Sequence, residues 1–264
     1  MVIYPNVAGK FYPTNPDVLC QNILKMLVDA SDKAALPIPK AIIAPHAGYI
    51  YSGPIAASAY ASLAKAKKQI HQVVLLAPSH QYPVDGIATT NAEFYITPLG
   101  QITIDQKSIA KINLPYVQAI EEAFVSEHAI EVHLPFLQLT LENFSLVPLL
   151  VGLATVAQVA NILEKLWGGP ETIIIISSDL SHYYPYDLAQ SLDKKTAGAI
   201  IALYPEGFSS EQACGATAIK GLLTVAAKKK MRATQVDLRN SGDTAGSKDQ
   251  VVGYGAFHFL HGVN

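Results

Sequence analysis

Three segments of this sequence place imidazole or carboxylate groups directly after apolar runs. Ile43-Ala44 leads into Pro45-His46-Ala47-Gly48-Tyr49, and Leu76-Ala77 leads into Pro78-Ser79-His80. Ile173 to Ile176 leads into Ser177-Ser178-Asp179-Leu180-Ser181-His182. Each run is too apolar to have a solvent face and reads as a strand covered on both sides. If these strands run parallel, His46, His80, Asp179 and His182 converge on the carboxyl edge of one sheet, where open α/β folds bind ligands. Imidazoles held on separate rigid strands suit a divalent ion, because a neutral ring nitrogen donates to it and the strand end fixes its direction. A single histidine in such a place would be an ordinary hydrogen-bonded loop residue; the repeated context points to a metal.

Two further groups could join this chemistry. Cys214 precedes an Ala-rich helical pattern running to Lys229, so its sulfur is expected at a helix N-terminus, where the dipole favours thiolate. A thiolate there would act as nucleophile or metal ligand, with a packed, inert Cys as the even alternative. Glu127-His128, with Glu131 and His133, falls in a pattern read as a helix from Ser126 to Leu141. It lacks the two His at i and i+4 that grip zinc from one helix face, and His128 and His133 should point to different sides. Glu127, His128 and Glu131 are therefore expected behind the ligands or against substrate, with a polar helix start capped by Ser126 as the plain alternative.

The elements that must position these groups alternate between strand and helix, the pattern of βαβ units around a mainly parallel or mixed central sheet flanked by helices. The main strands are Ala41 to Ala44, Val73 to Ala77, Leu146 to Val151 and Ile173 to Ile176, with terminal strands at Thr234 to Leu238 and Val251 to Leu260. Asn15-Pro16-Asp17 is a helix start with a capping side chain, and Cys20 inside that helix reads as a small buried hydrophobe. Further helical patterns cover Pro54 to Lys67, Ile104 to Ile112, Val156 to Trp167 with Thr155 as cap, and Tyr186 to Leu203. Asn240 to Asp249 reads as a loop. No low-complexity linker divides the 264 residues, so one domain, 1–264, is expected.

Composition narrows the partners. Apolar residues reach 50% and charged residues only 15%, which excludes a disordered chain. Nineteen basic against twenty-one acidic side chains leave no footprint for nucleic acid, and Lys228-Lys229-Lys230 complements a helix C-terminus instead. No targeting signal or membrane span is read, so a cytoplasmic location is expected. Two cysteines cannot form a disulfide framework.

Taken together, AGKFYP at Ala8 to Pro13, PHAGYIYSG at Pro45 to Gly53, APSH at Ala77 to His80, EHAIEVHLPFLQ at Glu127 to Gln138, SSDLSHY at Ser177 to Tyr183, CG at Cys214-Gly215 and NSGD at Asn240 to Asp243 resemble the MEMO family. Its prokaryotic members include protein B of the AmmeMemoRadiSam system. That family in turn is similar to class III extradiol dioxygenases, non-haem iron enzymes that open catechol rings. The resemblance implies an α/β fold of that kind and a metal site of His46, His80 and Cys214, with Asp179 and His182 beside it as catalytic residues. Where the dioxygenases use a carboxylate, this sequence offers Cys214; a carboxylate suits Fe(II) with open positions, whereas a thiolate shifts preference towards Zn, Cu(I) or a redox-sensitive Fe(II) and puts ring opening in doubt.

Three readings follow. The leading one is an Fe- or Cu-dependent oxidoreductase of unknown substrate with His182 as acid/base oriented by Asp179. The second is a metal-handling or protein-binding module without turnover, working with radical SAM and AMMECR-type partners as the family resemblance implies. The third is a zinc hydrolase, since two His, one Cys and an open position satisfy tetrahedral Zn. Tyr12, Tyr49, Tyr51 and Tyr183 are candidates for an aromatic pocket around a small molecule or peptide, and equally for ordinary packing.

Overall fold

The computed structural model describes residues 1–262. In chain order its first half comprises β1 (Val2–Ile3), α1 (Pro16–Asp29), α2 (Ser31–Ala34), β2 (Ala41–Ala44), α3 (Tyr49–Tyr60), β3 (Gln72–Pro78), β4 (Ile87–Thr89), β5 (Phe94–Thr97), β6 (Gly100–Ile104), α4 (Gln106–Ile112) and β7 (Val117–Ala119). The second half comprises α5 (Leu134–Thr140), β8 (Ser145–Val151), α6 (Val156–Leu166), β9 (Thr172–Ser177), β10 (His182–Tyr184), α7 (Tyr186–Ile201), α8 (Ala216–Lys228), β11 (Arg232–Asn240) and β12 (Val251–Leu260).

Twelve strands form one mixed sheet, in the order β1-β5-β6-β8-β3-β9-β2-β12-β10, with β11 beside β12 and the β4–β7 pair beside β8. Its centre, β8-β3-β9-β2, is parallel throughout. Successive residues there alternate between two cores. Ile42, Val73, Leu75, Ile173 and Ile175 face one, and Ile43, Val74, Leu76, Ile174 and Ile176 face the other. All of these are fully buried, each such aliphatic contributing about 1.5–3 kcal/mol by leaving water. The fold is thus the α/β architecture expected from the alternation of strand and helix.

Local chemistry explains where the elements begin. Asn15 caps α1 by accepting from the backbone N–H groups of Asp17 and Val18. Thr155 and Gln158 cap α6 reciprocally.

Two expected helices are corrected. The helix placed at Pro54 to Lys67 starts five residues earlier, at Tyr49, carries Pro54 inside it and gives way to a 3-10 turn at Ala61–Ala66. The helix placed at Ser126 to Leu141 begins only with a 3-10 turn at Glu131–His133, followed by α5. Before it, Glu127 Oε1 accepts from the backbone N–H groups of His128 and Ala129, both at 2.9 Å, and this local bonding competes with helix formation. Among the described residues Ser126 therefore caps no helix, and Glu127 and Glu131 do not share a helix face. Six strands, β1, β4 to β7 and β10, were not read from sequence; all are short.

Candidate metal centre

β2, β3 and β9 run parallel, so the segments that follow them meet at one edge of the sheet. There the ligand atoms of His46, His80 and His128 all lie within 4.8 Å of one another. Ring centroids are 5.2 Å apart for His46 and His80, 5.5 Å for His46 and His128, and 5.1 Å for His80 and His128. His46 is buried, His128 half-buried and His80 the most open.

Hydrogen-bond valence settles the tautomers of His46 and of the neighbouring His133. Ser177 Oγ lies 2.7 Å from Ala129 O, 2.6 Å from His46 Nδ1 and 2.8 Å from His133 Nε2. A carbonyl only accepts, so the single hydroxyl hydrogen goes to Ala129 and both imidazole nitrogens donate to Ser177. His46 consequently carries its proton on Nδ1 and presents an unprotonated Nε2. His133 donates through Nε2, so its Nδ1 accepts from Tyr60 Oη at 2.8 Å. Burial depresses the pKa of His46 well below the ordinary value and that of His133 to about 3, keeping both neutral.

His80 is fixed from a different side. Its backbone N–H donates to Glu127 Oε2 at 2.6 Å and its Nδ1 to Glu127 Oε1 at 3.0 Å, which leaves Nε2 free. Burial opposes ionisation of both partners, but the bond and charge between them outweigh it. Glu127 is held down at about 2 and His80 is raised. Glu127 thus stands behind a ligand, one of the two places expected for it. For His128, burial lowers the pKa more than the nearby Glu127 raises it.

The remaining expected residues separate. Cys214 Sγ lies 3.5 Å from His46 Nε2 and accepts from Asp179 N–H at 3.2 Å, but it does not belong to the three-histidine group. Cys214 stands just before α8, whose cap is Gly215, so the expected helix N-terminus is present; against the thiolate expected there, burial, then the Asp179 carboxylate, push the thiol up to about 12. Gly215 makes this approach possible, because a Cβ there would lie 2.7 Å from Ser177 O. Asp179 is buried and its pKa is raised by that burial; its Oδ1 accepts from His46 N–H at 2.9 Å, so it orients the His46 backbone. No hydrogen bond between Asp179 and His182 occurs among the described residues.

His182 opens β10, and the adjacent Tyr183 takes a left-handed φ of 60° in an irregular pairing with β12. Tyr49 and Glu131 are not at the centre. Tyr49 is buried with its hydroxyl donating to Val132 O at 2.7 Å. Glu131 ties down the N-terminal segment, accepting from Asn6 N–H at 2.6 Å, Val7 N–H at 3.0 Å and Tyr12 Oη at 2.5 Å. Their burial explains the error, since interior tyrosines and carboxylates beside a motif read the same as pocket ones.

A cavity of about 710 Å³ opens over the three rings and is reached by Asp179 and His182. Phe11, Tyr51, Tyr183 and Tyr254 line it. Tyr254 lies outside the motifs used in the sequence reading and was missed; its place on β12 opposite the His46 loop gives no sequence signal. His128 was read only as a supporting residue, because the helix expected there would have turned it differently.

A model of the family described as "Memo-like protein" matches residues 4–258. The chain belongs to the Memo-like family. A MEMO1 family protein of Methanosarcina barkeri is 35% identical over 267 residues, covering 96% of this chain and 97% of its own length. One from Aquifex aeolicus is 34% identical over 270 residues, covering 97% and 98%. An uncharacterized protein of Escherichia coli K12 has a solved structure that overlaps 81% of this chain and 98% of its own at a TM-score of 0.49 and 14% identity. No helix among the described residues of this Memo-like chain is long and apolar enough to cross a membrane.

Proposed function

We propose that this protein binds one metal ion through His46 Nε2 and His80 Nε2, with His128 or Cys214 as the third donor, and uses it in redox chemistry on a small organic substrate. The observation that carries the reading is the pair of Nδ1 hydrogen bonds behind His46 and His80. Two rings that follow two parallel strands each direct Nδ1 at a built-in acceptor, Ser177 or Glu127, which leaves Nε2 as the nitrogen available to an ion. Metal-ligating histidines are held in this way by carboxylates and other outer acceptors. The donor set of imidazoles with a thiol nearby suits Cu, Fe(II) or Zn, and the family resemblance favours Fe or Cu.

When bound, such an ion would polarise substrate and, if redox-active, exchange electrons with it. The chain's own residues do the rest. Asp179 holds the His46 loop, Phe11, Tyr51, Tyr183 and Tyr254 offer an aromatic wall to an organic substrate, and His182 at the cavity edge is placed to pass a proton to or from it. Oxygen uptake by anaerobically prepared protein charged with Fe(II), in the presence of a panel of catechols and thiols, tests this. Turnover that disappears in His182→Ala with metal content unchanged supports it, and no uptake with any substrate removes the oxidoreductase reading.

A second reading is a metal-handling or protein-binding module, with radical SAM and AMMECR-type proteins as the partners the resemblance suggests. Its support is the rim of the cavity, where Ile50 and Tyr183 are 68% and 69% exposed, as a peptide-binding edge would be.

A further inference from the structure

We infer that the centre is open on two sides and that Cys214, on the smaller side, is the atom a thiophilic metal ion meets first; this rests on the metal-binding reading above. A second cavity of about 390 Å³ lies between the ends of β3 and β8 and the start of α8. Ser79, Tyr82, Gly152, Cys214 and Thr217 line it. The two cavities divide the centre's residues cleanly. His46, His128, Asp179 and His182 line the large one, Cys214 lines the small one, and His80 alone lines both.

Close packing shapes one wall of the small cavity. A Cβ on Gly152 would lie 2.1 Å from Val84 O, so only glycine lets the two wall segments meet this closely. Inside, Cys214 is partly exposed, yet its sulfur is anchored by Asp179 N–H at 3.2 Å and lies 3.5 Å from His46 Nε2. The sulfur therefore stands on the partition between the cavities, with a ligand of the centre as its nearest nitrogen.

A thiophilic cation such as Cu(I) entering here is captured at Sγ. A sulfur–metal bond replaces the S–H bond, the proton passes to solvent through the same cavity, and no oxidation state changes. His46 Nε2 and the shared His80 are the next donors inward. The large cavity stays free for an organic ligand, so metal loading and substrate entry use separate routes.

Replacing Cys20 by Ser leaves Cys214 as the sole thiol. In that metal-free background, the rate of Cys214 labelling by methyl methanethiosulfonate is compared among Thr217→Phe, which fills the small cavity, Thr217→Ala, which widens it, and Ser247→Trp, which fills the large one. Since these substitutions alter access to the sulfur and leave its own hydrogen-bond partners in place, Thr217→Phe should slow labelling about ten-fold, Thr217→Ala should speed it, and Ser247→Trp should change it less than about two-fold. Cu(I) transfer from a coloured chelate should slow in Thr217→Phe with unchanged final stoichiometry. Labelling that responds to position 247 and not to 217 overturns the two-sided route even where the ion binds. Labelling as expected with no Cu(I) taken up removes the metal-binding reading and leaves the small cavity only a path to a thiol.

Discussion

His46 Nδ1 and Ser177 Oγ are 2.6 Å apart, and because Ser177 also donates to Ala129 O, the imidazole must be the donor in this pair. The ring nitrogen that faces the three-histidine group is thereby fixed as unprotonated before any ion arrives. The hydroxyl that does this sits at the end of β9, next to the parallel strand β2 that delivers His46.

Ser177→Ala is therefore expected to weaken metal binding about 10–100-fold without abolishing it, the range seen when an outer partner of a metal-ligating His is removed. His46→Ala should remove binding. Competition titrations against a chelator give both values, and two-dimensional ¹⁵N spectra of the histidine rings should show His46 shift towards mixed tautomers in Ser177→Ala. Unchanged affinity with an unchanged tautomer would contradict the hydrogen-bond argument.

Asp193 supplies a pH dependence away from the centre. It is buried and accepts from Ser181 N–H at 3.0 Å, and burial raises its carboxyl to about 6 from an ordinary 3.8. A raised folded-state pKa means that the neutral form is favoured by folding. The contribution is fully present below about pH 4 and is lost as pH rises through about 6, on the order of 3 kcal/mol in all. Asp193→Asn should thus stabilise the protein at pH 8 and have little effect at pH 4. Urea midpoints of the two proteins measured across this range, taken as a difference, isolate Asp193 from the buried histidines, which titrate in the opposite sense.

Gly215 and Gly198 should respond oppositely to the same substitution. A Cβ at Gly215 would press on Ser177 O at 2.7 Å and Ser178 Cβ at 2.8 Å, whereas one at Gly198, inside α7, meets nothing within 4 Å. Gly215→Ala is expected to destabilise by about 1–3 kcal/mol through overpacking, and Gly198→Ala to stabilise by about 0.5–1 kcal/mol through helix propensity. Thermal unfolding of both variants checks the pair.

Glu127→Gln removes the charge that raises His80. Metal and proton compete for His80, so the acid limb of metal binding should move to lower pH in the variant, while affinity at pH 8 falls because Nδ1 loses a charged acceptor. Binding titrations at several pH values decide it. A limb displaced to higher pH would mean that Glu127 does not act through His80.

Much of this was legible in the sequence because buried parallel strands have no polar face to disguise them. Ala41–Ala44 and Val251–Leu260 were bounded correctly, and the Asn15 and Thr155 caps follow from short side chains with only local bonds to make. The edge strands escaped notice because they are short: β7, for example, is Val-Gln-Ala with two of its three residues exposed. The centre was half legible. His46 and His80 follow from strand direction, but the role of His128 depends on Glu127 bonding its own backbone rather than starting a helix. The upward push on the Cys214 thiol comes from burial and then from Asp179, tertiary surroundings with no local signature.

The central claim is tested most directly by elemental analysis of protein prepared without oxygen or tag-derived metal and reconstituted with Fe(II), Cu(I) or Zn, alongside His46→Ala, His80→Ala, His128→Ala and Cys214→Ser. The account predicts one ion per chain in the unaltered protein, none in His46→Ala or His80→Ala, and a loss in whichever of His128→Ala and Cys214→Ser removes the third donor. Metal-free protein after every reconstitution, or full occupancy in His46→Ala, would contradict it.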